Sequence, residues 1–112
     1  QLFSRMAKEC AGQGNVLCLE PGLDSVGIRE LADAIAQTCG GTAAVFSDNG
    51  SGWGYCLADR QNDLRTLGKE MTGALHGRGG GKPSFQQGSV AAGEAEIRAF
   101  FENLGWQPDL EH

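Results

Sequence analysis

The stretch that decides the fold spans residues 15–47 and reads NVLCLEPGLDSVGIRELADAIAQTCGGTAAVFS. Its first six residues form an apolar run bounded by glycine and proline, which is typical of a buried strand. Its last six residues, TAAVFS, predict a second strand. Between the two strands, apolar residues recur at i, i+3, i+4, i+7 and i+11 and predict one amphipathic helix: Ile28, Leu31, Ala32, Ile35 and Cys39. A strand, a helix and a strand in succession imply a right-handed crossover and a parallel strand pair.

Polar and glycine residues mark the ends of these elements. Asp24 or Ser25 can cap the start of the helix, because a side-chain oxygen there accepts from the free backbone N–H groups. Gly40-Gly41 supplies the C-terminal stop. Downstream, residues 48–52 (DNGSG) contain Asn-Gly, which favours a hairpin turn. Residues 53–58 (WGYCLA) then predict a third strand that pairs back on the second, so the sheet is mixed.

The remaining sequence predicts two more helices and one more strand. A helix over residues 62–75, with Asn62 as a cap, has its apolar stripe at Leu64, Leu67, Met71 and Leu75. Residues 85–89 predict a fourth strand. A last helix over residues 93–104 turns four side chains inward: Ile97, Phe100, Phe101 and Leu104. The expected fold is therefore α/β, a mixed sheet of about four strands with helices packed on it.

The length of 112 residues fits one domain, which we place at residues 14–109. Residues 1–13 are expected to be the tail of an upstream helix or a linker, with a short helix over residues 2–11. Residues 110–112 (LEH) resemble the start of a vector-derived histidine tag. Because the chain begins with Gln1, we expect it to be a fragment of a longer protein.

The composition excludes several classes of protein. Hydrophobic residues make up 40% and charged residues 21%, which excludes a disordered chain, and no apolar run approaches the roughly 20 residues of a membrane span. The net charge of −5 means that any nucleic acid has to be held by a local basic patch and not by bulk attraction. The four cysteines (Cys10, Cys18, Cys39 and Cys56) match no zinc spacing, so buried reduced thiols in a cytoplasmic protein are expected.

Residues 76–83 (HGRGGGKP) form the segment richest in chemistry. Four glycines within five residues exceed what a helix C-cap needs, and we interpret the segment as a loop. Successive glycines let backbone N–H groups converge on an anion, and the flanking cations suit phosphate. The residues predicted to bind phosphate or nucleic acid are His76, Gly77, Arg78, Gly79, Gly80, Gly81, Lys82, Gln86 and Gln87. The competing interpretation is an exposed turn with incidental charge.

Two nucleotide-binding motifs are excluded for this segment. It is not a Walker loop, because no Ser or Thr follows Lys82. It is not a dinucleotide-binding fingerprint, because it follows a helix and does not lie between a strand and a helix. Alternation along the following strand should turn one of Gln86 and Gln87 inward and the other outward. The outward side chain can reach a ribose or phosphate. The inward side chain needs a buried partner.

The stretch GRGGGKPSFQQG at residues 77–88 resembles the signature of the DHH-associated domain. That domain forms the C-terminal part of alanyl-tRNA synthetases and of the longer alanyl-tRNA editing proteins, and it also closes the DHH phosphoesterases. This form of the motif has a basic residue at Lys82, then proline and an aromatic-Gln-Gln-Gly strand, and it is closest to that of the alanyl-tRNA group. The phosphoesterase version typically has histidine at the position of Lys82. The similar order of elements extends the resemblance over about residues 14–105.

The resemblance implies an accessory domain that holds tRNA, or helps the protein to form a homodimer, beside a separate catalytic domain. The zinc site of the editing family lies in that other domain, so this fragment is expected to hold no cofactor and no catalytic residue. The parent would be an alanyl-tRNA ligase or a deacylase of mischarged alanyl-tRNA. Two alternatives remain open: the substrate-clamping domain of a DHH phosphoesterase, and an oligomerisation module.

Other candidate sites have simpler explanations. A metal site at Asp48, Asp59 and Asp63 competes with turn and cap roles for two of them. Trp53 and Tyr55 alternate on one strand face and can stack on bases, although core packing is favoured. Ser84 and Ser89 have no histidine other than His76 to activate them, which disfavours nucleophilic catalysis. Arg65 and Lys69, four apart on the second helix, either extend the basic surface or form a solvated helix face.

Overall fold

A computed structural model describes residues 14–19, 22–48, 52–59 and 63–104 of the chain. Within these residues a five-stranded mixed sheet has the strand order β1-β2-β3-β5-β4. The strands are β1 (Gly14–Leu19), β2 (Gly40–Asp48), β3 (Trp53–Ala58), β4 (Gly77–Lys82) and β5 (Phe85–Val90). The helices are α1 (Ser25–Cys39), α2 (Arg65–Ala74) and α3 (Glu94–Asn103). The predicted α/β class and mixed sheet are confirmed.

The strand–helix–strand unit forms as predicted. Strands β1 and β2 are parallel, with Val16 opposite Ala43 and Leu19 opposite Phe46. Asp24 caps α1, since its Oδ1 accepts from the backbone N–H of Gly27 at 2.7 Å. The helix ends at Cys39 and β2 begins at Gly40, so the two predicted stop glycines are the first residues of the strand. The antiparallel pairing of β2 with β3 confirms the predicted hairpin.

Each face of the sheet buries its own core, because successive strand side chains point to opposite faces. Helix α1 covers one face, where Ile28, Leu31 and Ile35 pack with Val45 and Cys56. Helices α2 and α3 cover the other face, where the side chains that meet include Phe46, Tyr55, Met71, Ile97 and Phe101. The Phe46 ring lies 5.9 Å from Tyr55 and 5.8 Å from Phe101, centroid to centroid. The chain therefore forms a three-layer sandwich whose middle layer is apolar on both sides.

The last two helices differ from their predicted stripes in detail. Leu64 and Met71 are buried and Leu67 is half-buried, as expected for the stripe of α2. Helix α2 begins at Arg65 after Leu64, while the predicted cap Asn62 lies outside the described residues. In α3, Ile97 and Phe101 are buried, but the inward position predicted for Leu104 is wrong, because its side chain is 44% exposed. Leu104 is the C-cap residue, one position past the last residue of α3, and so lies at the exposed end of the helix.

The prediction of a loop at residues 76–83 is wrong for most of this segment. Gly77–Lys82 is the edge strand β4, and it pairs antiparallel with β5 from Gly77 opposite Val90 to Lys82 opposite Phe85. Only Pro83 and Ser84 turn between the two strands. Glycine has low strand propensity, and the strand arises because β5 supplies a partner for it. This pairing explains why the sheet has five strands where about four were expected.

Several predictions fall on residues that the structure does not describe. They are the helix over residues 2–11, most of the 48–52 turn, Cys10 and the side chain of Cys39. Cys18 and Cys56 are buried and form no disulfide, as predicted for them. Among the described residues, none belongs to a helix long and apolar enough to cross a membrane.

Candidate nucleic-acid interface

The glycines of β4 and β5 are explained first by packing. The hydroxyl of Tyr55, reaching across from β3, occupies the position where a Cβ on Gly79 would lie. A Cβ on Gly88 would meet the backbone oxygen of Arg78, and one on Gly77 would meet the backbone oxygen of Ser89. These three glycines therefore permit close approach between neighbouring strands and the Tyr55 ring, without any ligand.

Gly81 adds an unusual φ to the same kind of close approach, and Gly80 differs from the others. Gly81 has a φ of 150° and its Cβ would meet the backbone oxygen of Phe85, so both its conformation and its surroundings favour glycine. Gly80 has no atom within 4 Å of the position of a Cβ. Packing does not require glycine at residue 80, which leaves an open surface at the middle of the strand.

The two cations of β4 lie on either side of Gly80 on one face of the strand. Arg78 is opposite Ser89, Gly80 opposite Gln87 and Lys82 opposite Phe85, and directly opposed residues direct their side chains to the same face. Phe85 packs against the core beneath α1, so this face is the one that α1 covers further along the sheet. Both cations are exposed, and among the described residues no ion pair or hydrogen bond engages either side chain.

His76 joins α2 to β4 in a strained conformation. Its φ is 56°, in the left-handed region that costs a non-glycine residue about 1–2 kcal/mol. Its backbone oxygen accepts from the N–H of Ala91 at 3.2 Å, which ties the start of β4 to the end of β5. Its side chain is exposed at the same end of the strand as Arg78.

The two glutamines of β5 face opposite ways, as the alternation predicts. Gln86 is 5% exposed and lies against Gly68 of α2, and its Nε2 donates to the backbone oxygen of Lys82 at 2.8 Å. Gln87 is half-buried on the α1 side, and its Nε2 donates to the backbone oxygen of Ser25 at 3.0 Å. Gln86 thus supports the hairpin from within, whereas Gln87 is the glutamine that borders the surface around Gly80.

A trough runs between α1 and the β4–β5 hairpin, and we call it the α1 trough. Its central cavity of about 670 Å³ is lined by Arg29, Glu30, Asp33, Gly80, Gly81, Lys82, Phe85 and Gln87. A cavity of about 290 Å³ adjoins it through Asp33 and Phe85, and another of about 550 Å³ adjoins it through Gly80 and Gln87. Residues Gly80 to Lys82 of β4 are therefore one wall of a row of adjoining cavities.

The sequence did not single out Arg29, which the structure places in the α1 trough. Its guanidinium carbon lies 5.6 Å from the centroid of the Phe85 ring, within cation–π range. The only sequence signal for this residue was its place beside the apolar stripe of α1, four residues before Asp33. The contact depends on β5 returning beneath the helix, which no local pattern reveals.

The charges of the α1 trough are separated by wall. Lys82 lies on the β4 wall, with Arg78 further along the same face of the strand, whereas Glu30 and Asp33 lie on the α1 wall beside Arg29. Asp33 accepts a hydrogen bond from Nε2 of Gln37 at 2.8 Å. Anionic groups are therefore favoured along β4 and disfavoured along the acidic part of α1.

The other sequence candidates take structural roles. The carboxylate of Asp59 is buried and accepts from the hydroxyl of Thr42 at 2.5 Å. Asp63 pairs with Arg65 at 2.7 Å, and the hydrogen bond from Arg65 holds the pKa of Asp63 below its usual value. Arg65 thus has its charge engaged on α2, on the side of the sheet opposite the α1 trough. Nowhere in the described ranges do three His, Cys, Asp or Glu side chains group as metal ligands.

Tyr55 and Cys56 belong to the core of the sheet. Burial is the main cause that raises the pKa of the Tyr55 hydroxyl, and the neighbouring Cys56 adds to it. Burial also raises the pKa of the Cys56 thiol to about 12. Tyr55 is 1% exposed, which confirms core packing for it, and Trp53 is half-buried against the same core.

Comparison with known proteins identifies the fold. No protein-family model and no curated protein matches the chain. Nine solved chains match it, and one is the crystal structure of the C-Ala domain from Aquifex aeolicus alanyl-tRNA synthetase. That domain is 19% identical, with a TM-score of 0.67 over 82% of this chain and 92% of that chain. The resemblance to the DHH-associated domain stays a prediction, and the fold of this chain is that of the C-Ala domain of an alanyl-tRNA synthetase.

Proposed function

We propose that this chain is a nucleic-acid-binding accessory domain whose partner is tRNA, and that β4 carries the contact. The observation that carries the proposal is the position of Arg78 and Lys82, two exposed cations on one face of β4 on either side of the open Gly80, with Gly80 and Lys82 lining the α1 trough. Arginine and lysine in this setting bind phosphate oxygens. Because the net charge is −5, such a local patch is what a polyanion would require.

The likeness to a domain of alanyl-tRNA synthetase supports tRNA as the nucleic acid. Under this proposal the parent is an alanyl-tRNA synthetase-like or alanyl-tRNA editing protein, and its chemistry lies in another domain. The binding strand consists of Gly77, Arg78, Gly79, Gly80, Gly81 and Lys82, His76 directly precedes it, and Gln87 lies next to it on the α1 side. Gln86 supports the strand from the buried side.

The test removes the two cations of β4. The double variant Arg78→Ala/Lys82→Ala should lower the affinity for tRNA by about tenfold to a hundredfold at low salt. Because two phosphate contacts are lost, the slope of log K against log salt should become shallower by about two. Both quantities are measured by fluorescence anisotropy across a salt series.

The matched control is Arg65→Ala/Lys69→Ala, which removes the same charge with the same spacing from α2. Its affinity for tRNA should stay within about twofold of the wild-type value, because Arg65 is already paired with Asp63 and α2 lies on the side of the sheet opposite the α1 trough. Equal losses in the two double variants would mean that only net charge matters. An unchanged affinity in the β4 variant would refute the proposal.

A further inference from the structure

The shape of the α1 trough bears on which kind of nucleic acid it takes. The central cavity shares lining residues with each of its two neighbours. It shares Asp33 and Phe85 with the smallest cavity, and Gly80 and Gln87 with the third. The depression therefore follows β5, whose six residues span about 20 Å. A depression extended along a strand fits a linear chain better than it fits a compact ligand.

The walls of the α1 trough favour one orientation of such a chain. Lys82 on the β4 wall, and Arg78 further along the same strand face, attract phosphates to this side, and Glu30 and Asp33 repel them from the α1 wall. Bases carry no charge, and the amino groups of adenine, cytosine and guanine donate hydrogen bonds that carboxylates accept. A strand with its phosphates along β4 and its bases towards α1 matches both walls.

The floor of the α1 trough offers surfaces on which bases stack. Phe85 is half-buried in the floor, and the exposed Arg29 lies over its ring at 5.6 Å. Aromatic rings and guanidinium planes are the groups on which unpaired bases stack in single-strand-binding proteins. Gly80 adds no side chain to the middle of the β4 wall, which keeps the trough open there.

Resting on the function proposed above, we infer that the α1 trough binds a single-stranded segment of nucleic acid, with its bases entering towards Arg29 and Phe85. Paired bases cannot enter, because their edges are engaged and stacked within the duplex. The ligand of this domain would thus be an unpaired stretch of RNA, such as a loop or an end, and not a helical stem.

The first test uses the wild-type chain. A fluorescent RNA of about eight unpaired nucleotides and the same RNA annealed to its complement are titrated by anisotropy. The single strand should bind at least tenfold more tightly than the duplex. A duplex that binds as tightly as the single strand would overturn the inference while leaving nucleic-acid binding intact. If neither RNA nor tRNA binds, the proposed function itself fails.

The second test fills the trough without changing its charge. Gly80→Leu adds a side chain where no atom lies within 4 Å of the Cβ position, and Gly73→Leu on α2 is the matched control at another open glycine. Gly80→Leu should lower single-strand affinity at least tenfold, about the loss of one stacked base, and Gly73→Leu should not. Single-strand binding unchanged in folded Gly80→Leu would overturn the inference. The wild-type comparison of strand and duplex decides the matter if this variant fails to fold.

Discussion

At the scale of single residues, the glycines of β4 have two different causes. Gly79 is required by the Tyr55 hydroxyl, whereas Gly80 faces open space. The sequence shows both as members of one glycine run, and it favoured a shared role in holding an anion. The sequence alone could not distinguish anion binding from packing at Gly79, because it does not show that Tyr55 lies there. Tyr55 is distant in sequence and approaches Gly79 only because β3 and β4 both flank β5.

This difference predicts opposite effects of two alanine variants on stability. Gly79→Ala should lower the free energy of unfolding by about 1–3 kcal/mol, because its Cβ would overlap the Tyr55 hydroxyl. Gly80→Ala, which meets no atom within 4 Å, should change it by less than about 0.5 kcal/mol. Urea denaturation measures both. Adding Tyr55→Phe should recover part of the loss at Gly79, and equal effects at the two glycines would contradict the packing explanation.

The Cys56 thiol gives a second test at this scale. With its pKa raised to about 12 by burial, only about one thiol in 10⁴ is ionised at pH 8, and the thiolate is the reactive form. Cys56 in the folded chain should therefore resist alkylation by iodoacetamide, and urea should release it. Peptide mapping by mass spectrometry follows the residue individually. Labelling of Cys56 at the same rate with and without urea would show that the thiol is not buried as described.

At the scale of elements, the local patterns predicted most of the fold. The stripe of α1, the apolar run of β1 and the WGYCLA strand each depend on residues near in sequence, and each forms as expected. Strand β4 was not predicted from local residues. It is a strand in spite of its glycines because it pairs with Phe85–Val90. The cations of the candidate site were visible in the sequence, but the α1 trough and Arg29 were not, since they arise where a helix and a distant hairpin meet.

The start of α1 offers a test of the capping prediction. Asp24→Ala should lower the free energy of unfolding by about 1 kcal/mol, because the N–H of Gly27 loses its partner Oδ1 at 2.7 Å. Asp24→Asn retains an acceptor oxygen and serves as the control, with a change of a few tenths of a kcal/mol at most. Thermal or urea unfolding compares the two. A loss in the asparagine variant as large as in the alanine variant would point away from the cap.

At the scale of the whole molecule, the sheet has two unlike faces. Helices α2 and α3 close one face over a continuous apolar core, whereas α1 leaves the β4–β5 part of the other face open as a trough. The fold is that of a C-Ala domain, and the trough brings together Lys82, the contact of Arg29 with the Phe85 ring, and the open Gly80. The homodimer suggested by the sequence stays a prediction.

Binding of tRNA along β4 is tested most directly by an NMR titration of the ¹⁵N-labelled chain with tRNA. We expect the backbone amides of β4, from Gly77 to Lys82, and those of Arg29 and Gln87 to shift or broaden as tRNA is added. The amides of α3, on the opposite face of the sheet, should stay in place. Changes confined to α3 and the outer side of α2, with β4 unmoved, would contradict the account.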